Sequence, residues 1–375
     1  MPDSRHLLLV GAGHASIAVL RDLARAPLPG LRLTVLTPAT DLAYSGMLPG
    51  IVAGDTDAAA GRIDIARLAA AAGATLCLDR ATGIDPDARR VLRAGGSPLG
   101  YDLLALDAGA PPAAPESDRV IPVRPPDALL ARLPELDAAS SGPAPFRLAV
   151  VGGGAAGVEL AFAFAHRLRA RRAAAGADPA ALSLTLLPGP SGLLPGLPRR
   201  AARLVAARLA VCGIALGPPA RAGIPQAGHI PLDDGTSLPA DAVVWAAGAA
   251  APAWLRGGSL ALDAAGFVAV APTLRSRSHD TVFAAGDIAG FGALGVPKSG
   301  LYAIRQGKVL AENLRRALAG QRLRRFRPQR AALYLLATGP DHAIGTRNGL
   351  VVSGAWVRRW KDRIDRRFIA AYAAP

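Results

Sequence analysis

Cysteine is nearly absent from this chain of 375 residues. Only Cys77 and Cys212 occur, 135 positions apart and each in an apolar stretch (ATLCL and LAVCGIAL), with no CxxC or CxxxxC. A disulfide framework is excluded, and both read as small buried hydrophobes in a reduced, cytoplasmic compartment. Lysine is almost as scarce, with Lys298, Lys308 and Lys361 the only three among 43 basic residues. Charged residues make up 19% against 51% hydrophobic, which excludes extended disorder and allows large cores. A clean membrane-spanning run is lacking: Leu148 to Ala165 comes nearest but holds three consecutive glycines and Glu159. The N-terminus, MPDSRHLLLVGAG, lacks signal-peptide architecture. No metal site is expected.

Charge is one-sided. The formal net charge is +15, and from Leu314 to Pro375 thirteen Arg and one Lys stand against three Asp, a local balance of +11. Such a region reads either as a surface for an anionic partner, membrane or nucleic acid, or as an arginine-biased solvated surface. No nucleic-acid motif accompanies the charge, so nucleic acid ranks below membrane.

At roughly 100–200 residues per domain, the length predicts two or three domains. Two strand–turn–helix signals organise them. His6–Val10 runs into Gly11-Ala12-Gly13-His14-Ala15-Ser16, a helix to about Arg25, and a strand at Leu31–Thr37. Arg147–Val151 runs into Gly152-Gly153-Gly154-Ala155-Ala156-Gly157, a helix from Ala155 to Ala170 or beyond, and a strand at Ser183–Leu187. Each is a βαβ unit with parallel strands and a right-handed crossover. Apolar runs ending in glycine, Tyr101–Gly109 and Asp241–Gly248, are counterparts in the two halves. Proline-rich Pro111–Pro115 and Pro122–Pro126 mark one crossing between domains, and Asp241–Pro252 the other.

The glycine turns carry chemistry. In a GxGxxG turn the first glycine permits the bend, the second lets backbone approach a pyrophosphate, and the third small residue lets helix pack on strand. The helix N-terminus then offers free N–H groups to phosphate. Gly11, Gly13 and Ser16 fill these places in the first unit, and Gly152, Gly154 and Gly157 in the second. His14 is read as a surface residue contributing backbone alone. The usual acidic ribose partner is missing. Thr37 stands there in the first unit and Leu187-Pro188 in the second, with Arg199 and Arg200 beyond, so NADH and NADPH stay equally open.

The chain resembles the FAD-dependent pyridine nucleotide oxidoreductases through LLLVGAGHAS, VVGGGAAGVELA, VVWAAG and TVFAAGDIA. YSGMLPG, PKSGLYAIRQGKVLAENLRRAL and WKDRIDRRF resemble more closely the type II NADH dehydrogenase-like flavoproteins fused to, or encoded beside, selenophosphate synthetase. The resemblance implies an α/β fold of two Rossmann-like domains: a discontinuous FAD domain (1–112 and 246–320), an inserted NAD(P)H domain (113–245) and a basic C-terminal module (321–375). It implies FAD on the first turn, NADH or NADPH on the second, and Asp287 at the FAD ribityl and pyrophosphate, a role compatible with capping a helix. The expected cofactor-binding set is Gly11, Ala12, Gly13, His14, Ala15, Ser16, Thr37, Gly109, Gly286, Asp287, Pro297, Lys298 and Ser299, with Gly152, Gly154, Ala155, Gly157, Glu159 and Gly248. The expected catalytic residues are Glu159, near the flavin–nicotinamide contact, Lys361 as its partner by analogy, and Lys298. The last precedes a helix over Ser299–Gly320 whose N-terminus would stabilise charge on reduced flavin.

Departures from the family bear on the acceptor. The CxxxxC of disulfide reductases and the paired cysteines of sulfide:quinone oxidoreductases are missing, so a dithiol relay is excluded. The AQxAxQ quinone motif is replaced by Gly300-Leu301-Tyr302-Ala303-Ile304-Arg305. Electrons would pass from flavin directly to a quinone or another small acceptor. The competing expectation is a slow FAD- and nicotinamide-binding sensor or partner module linked to selenium metabolism. In the C-terminal helix, Trp356, Trp360, Ile364 and Phe368 form one stripe among arginines. It reads as a peripheral membrane contact, as a helix whose aromatics cover the cofactor, or as a homodimer contact.

Overall fold

The computed structural model describes residues 5–329 and 332–373. The first part forms β1 (Arg5–Val10), α1 (His14–Arg25), β2 (Leu31–Thr37), β3 (Asp41–Ala43), α2 (Leu48–Ala53), β4 (Arg62–Asp64), α3 (Ile65–Ala71), β5 (Thr75–Leu78), the meander β6 to β8 (Ala81–Asp85, Arg90–Arg93, Gly96–Gly100) and β9 (Leu103–Leu106). The middle forms β10 (Val120–Pro122), α4 (Pro126–Ala131), α5 (Leu133–Ser140), β11 (Phe146–Val151), α6 (Ala155–Ala174), β12 (Leu182–Leu187), α7 (Arg199–Val211), β13 (Ile214–Leu216), the ribbon β14 and β15 (His229–Pro231, Ser237–Pro239) and β16 (Ala242–Trp245). The rest forms β17 (Val268–Ala269), β18 (Val282–Ala284), β19 (Ala289–Gly290), α8 (Gly300–Leu318), β20 (Tyr334–Ala337), β21 (Ala343–Arg347), β22 (Leu350–Gly354) and α9 (Ala355–Ala373).

Two five-stranded parallel sheets result, ordered β18-β9-β1-β2-β5 and β10-β16-β11-β12-β13. The strands that feed the glycine turns, β1 and β11, are central in both. Leu7 to Val10 and Leu148 to Val151 are buried without alternation, as parallel strands covered on both faces require. The first sheet takes β18 from beyond the second sheet, so its domain is discontinuous and the other is inserted.

Helix α8 closes on α1 because Gly307 has no side chain: a Cβ there would lie 2.8 Å from Ala18 Cβ and 3.0 Å from Ala15 Cα. The C-terminal segment forms the antiparallel sheet β20-β21-β22, then α9. Asn348 and Gly349, both at positive φ, turn β21 into β22 as Asn-Gly pairs do in two-residue hairpins. This segment bridges the two cores. Leu336, Ile344 and Val351 join the core of the second sheet, and Tyr372 that of the first.

The aromatic stripe on α9 is not what docks the helix. Val357, Lys361, Asp365 and Tyr372 are buried, whereas Trp356 is 49% exposed, Trp360 38% and Ile364 37%. Of the stripe only Phe368 turns inward, onto Tyr44. Lys361 packs beneath the helix, where two carboxylates receive its charge.

Candidate functional site

The first glycine turn is walled by the ends of its neighbouring strands. Gly11 sits at φ +85° with its N–H on Leu36 O at 2.8 Å, and a Cβ there would fall on the Asp107–Ala108 backbone. Gly13 donates to Asp107 O at 3.3 Å. Ala12, Ala15 and Ser16 are buried behind the turn, and Thr37 is buried at the end of β2. Gly109 and Gly286 both take positive φ at the mouth of the site. Gly286 N–H is held by Gln306 Oε1 of α8 at 2.5 Å.

Asp287 pairs with Arg124, whose guanidinium also donates to Lys298 O at 3.3 Å. It lies inside the short 3-10 turn Gly286–Ile288, preceded by Ala285, and caps no helix. Ser299 precedes α8 in extended conformation, with its hydroxyl buried and unpartnered. Pro297 beside it is exposed. Lys298 does not reach toward Glu159 or Lys361. Its ammonium donates to Ala289 O at 2.5 Å and lies 3.5 Å above the Phe267 ring. Burial brings it down to about 8 against the pull of Asp263 and Asp287.

His14 corrects its surface reading. Its ring packs against Tyr44 and Phe368, with centroids 5.8 and 6.2 Å away, and Nε2 is buried without a partner. Burial pulls it to about 4, so the imidazole is neutral at physiological pH, and its free nitrogen lies near Gly300 at the start of α8. Two orphaned polar atoms, His14 Nε2 and Ser299 Oγ, together with glycines that admit no Cβ, fit a polar group lodged between α1 and α8.

The second turn repeats the backbone pattern. Gly152 has φ +129° and donates to Leu187 O at 2.8 Å. A Cβ at Gly157 would fall on Gly152 O, whereas one at Gly154 would meet nothing within 4 Å. Gly154 is exposed at the start of α6 with Ala155 next to it, and Gly248 takes φ +68° on the facing loop. Arg199 and Arg200 are exposed at the start of α7.

Glu159 and Lys361 meet at the joint of the domains, Oε1 to Nζ 3.8 Å. Lys361 donates to Asp365 Oδ2 and to Gly46 O, each at 2.7 Å. Asp365 also accepts from Tyr44 at 3.1 Å, and Glu159 from the Ala337 N–H at 2.9 Å. Burial raises Glu159, opposed by Lys361 and the Ala337 N–H. Burial alone would lower Lys361, but Glu159 and Asp365 outweigh it and keep the ammonium charged. Tyr44 is raised by burial and by Asp365, and stays a phenol. A cavity of about 440 Å³ opens beside Lys361 and Asp365, with Gly46, Pro49, Asp55 and Arg358 in its wall. An equal cavity between Phe291 and Phe326 shares no lining residue with it.

Sequence reasoning missed Tyr44, Asp365, Arg124 and Asp107. Asp365 carried a signal, since Lys361 and Asp365 are four apart on one helix face. Tyr44 opens the YSGMLPG motif, which by itself assigns it no role, and Arg124, brought in from a distant segment, carried no signal.

The sequence of residues 5–307 matches the pyridine nucleotide-disulphide oxidoreductase family. The chain belongs to this family. It is an FAD-dependent oxidoreductase that uses NAD(P)H. No curated protein matches it in sequence. Its fold is similar to that of the sulfide:quinone oxidoreductase of Aquifex aeolicus (18% identity, 98% of this chain and 91% of that one, TM-score 0.82). It is also similar to NDH2 of Plasmodium falciparum solved with NADH (12% identity, 98% and 97%, TM-score 0.81). A third similar fold is the water-forming NADH oxidase of Lactobacillus brevis (20% identity, 92% and 75%, TM-score 0.72). Among the described residues no helix is long and apolar enough to cross a membrane, and no His, Cys, Asp and Glu group has metal-site geometry.

Proposed function

We propose that this protein oxidises NADH or NADPH at FAD and passes the electrons directly to a small-molecule acceptor, a quinone foremost, without a thiol relay. The observation that carries the reading is the buried Glu159–Lys361–Asp365–Tyr44 cluster beside a cavity. The cysteines support it: Cys77 lies on β5 of the first sheet and Cys212 at the end of α7 beside the second, and both are free.

The first turn, Thr37, Gly109, Gly286, Asp287 and the segment 297–299 would hold FAD. The second turn with Ala155, Glu159 and Gly248 would hold the nicotinamide cofactor. Bound FAD supplies the two-electron chemistry. Glu159, raised by burial, is suited to take up a proton and to release it beside Lys361. Lys361 keeps its charge and would offset negative charge arriving there. Lys298, tied to Ala289 O, serves to anchor the loop before α8.

The exposed Trp356, Trp360 and Ile364, flanked by exposed Arg359, Arg363 and Arg367, suit the surface of an anionic membrane, where a quinone would be found. Anaerobic mixing with NADH and with NADPH tests the enzyme, followed by a panel of quinones and dyes. Rapid bleaching of the flavin and fast reoxidation by a quinone are expected; a flavin that stays oxidised sinks the reading. Flotation with anionic vesicles should be lost in a Trp356→Ala/Trp360→Ala variant. Equal flotation of both forms removes the membrane, and a mass halved by the substitutions assigns the stripe to a homodimer.

A further inference from the structure

One carboxylate lies directly under the first glycine turn. Asp107, 3% exposed at the end of β9, accepts the N–H groups of Ala15 and Ser16 on one oxygen, at 2.8 and 2.7 Å. These are among the first free N–H groups of α1, the groups that a helix N-terminus offers to phosphate. The carboxylate lies between Gly13 and Gly286. A Cβ at Gly13 would be 2.7 Å from either of its oxygens, and one at Gly286 would fall on Oδ1. The second unit provides an internal control. Asp107 N–H bonds Val10 O, and at the same place Ala246 N–H bonds Val151 O. The site that meets the second cofactor has a methyl group there.

The charges facing Asp107 do not neutralise it. From the turn after β18 comes Asp287, whose own charge is met by Arg124. From α1 comes His14, neutral through burial. From α8 comes Gln306, occupied with Gly286 N–H, and before it Lys298, occupied with Ala289 O. Among the described residues no cation forms an ion pair with Asp107. A diphosphate brought to this crevice adds further negative charge within a few ångströms, which favours the uncharged acid.

We propose that Asp107 is a protonation gate on the flavin site: FAD binds to the form in which Asp107 carries a proton, and binding takes a proton up. This rests on the placement of FAD at the first turn. Burial, with Asp287 adding to it, already lifts the carboxyl to about 7 against the pull of the Ser16 and Ala15 N–H groups. Below that pH the acid is ready to receive the diphosphate, and above it a proton must be supplied. Affinity for FAD therefore falls as pH rises through and beyond about 7.

Diluting the full-length holoprotein at pH 5.5 to 9 and following flavin fluorescence tests this. The dissociation constant should rise about tenfold per pH unit above neutrality, and in Asp107→Asn it should stay level within about twofold. Loss of charge on Lys298 would give both proteins the same slope, so a slope that survives in Asp107→Asn overturns the gate. A wild-type constant indifferent to pH does the same. Calorimetry of FAD binding to the stripped wild-type chain, in two buffers of different ionisation enthalpy, decides the matter without a variant. Close to one proton taken up per FAD at pH 8 is expected, and none overturns it. Failure to bind FAD at any pH would remove the flavin-site placement itself and the gate with it, and is distinguishable from binding without pH dependence.

Discussion

The two nucleotide units share strand order, turn pattern and helix placement, and at two of the equivalent positions where they differ only one unit carries an acid. At the end of the strand beside the turn, the first has Asp107 and the second Ala246. Two residues past the last turn position, the first has Ala18, packed under Gly307, and the second has Glu159, buried against Lys361. In the first unit the carboxylate lies under the turn and meets the first N–H groups of α1. In the second it lies further along the helix and confronts the other domain. One backbone design thus serves as a closed, pH-sensitive holder or as an open site with a proton-bearing group, according to where a single acid is placed.

The most direct kinetic test of this contrast is Glu159→Gln. It should slow one of the two flavin half-reactions about 100-fold while FAD stays bound; single-turnover traces unchanged in both directions would remove Glu159 from the chemistry. Next is Lys361→Met. It leaves Glu159 and Asp365 buried without a cation, and chemical denaturation should register a loss of about 3–5 kcal/mol. A loss under about 1 kcal/mol would mean that the cluster does not depend on that charge.

Equivalent glycines should then part company. Gly13→Ala presses a methyl group onto Asp107 and should cost about 1–3 kcal/mol, with loss of FAD. Gly154→Ala meets open space and should change stability by no more than about 0.5 kcal/mol. Equal costs would break the claim that one turn is closed and the other open. The last test is Ala246→Asp, which copies the first unit into the second. KM for NADH should rise about tenfold at pH 8 and relax toward the wild-type value at pH 6, since an acid in that place binds phosphate only when protonated. A KM that does not move with pH would show that the neighbours of Asp107, not its position, create its effect.

Much of this architecture was legible in advance. Each glycine turn needs backbone that only small residues allow, and the flanking strands are buried on both faces, so motif and hydrophobic run mark the same spot. The α9 pattern is visible too, but it leaves the docking face open. Spacing alone cannot tell which of two stripes is covered when the buried one carries Lys361 and Asp365. The acid under the first turn stands in the sequence as LDAG without a signal of its own, because its importance lies in contacts with Ala15, Ser16 and Gly286 rather than in its neighbours along the chain.

By itself the sequence determined two dinucleotide units, the absence of a thiol relay and the family. These follow from local backbone requirements and from residue types that are present or missing. Only the tertiary structure decided that Lys361 meets Glu159 across 202 positions of chain at 3.8 Å, that Tyr44 and Asp365 complete their cluster, and that Lys298 is tied elsewhere. Burial removes water from such groups. Which partner replaces that water is settled by packing between elements far apart in sequence.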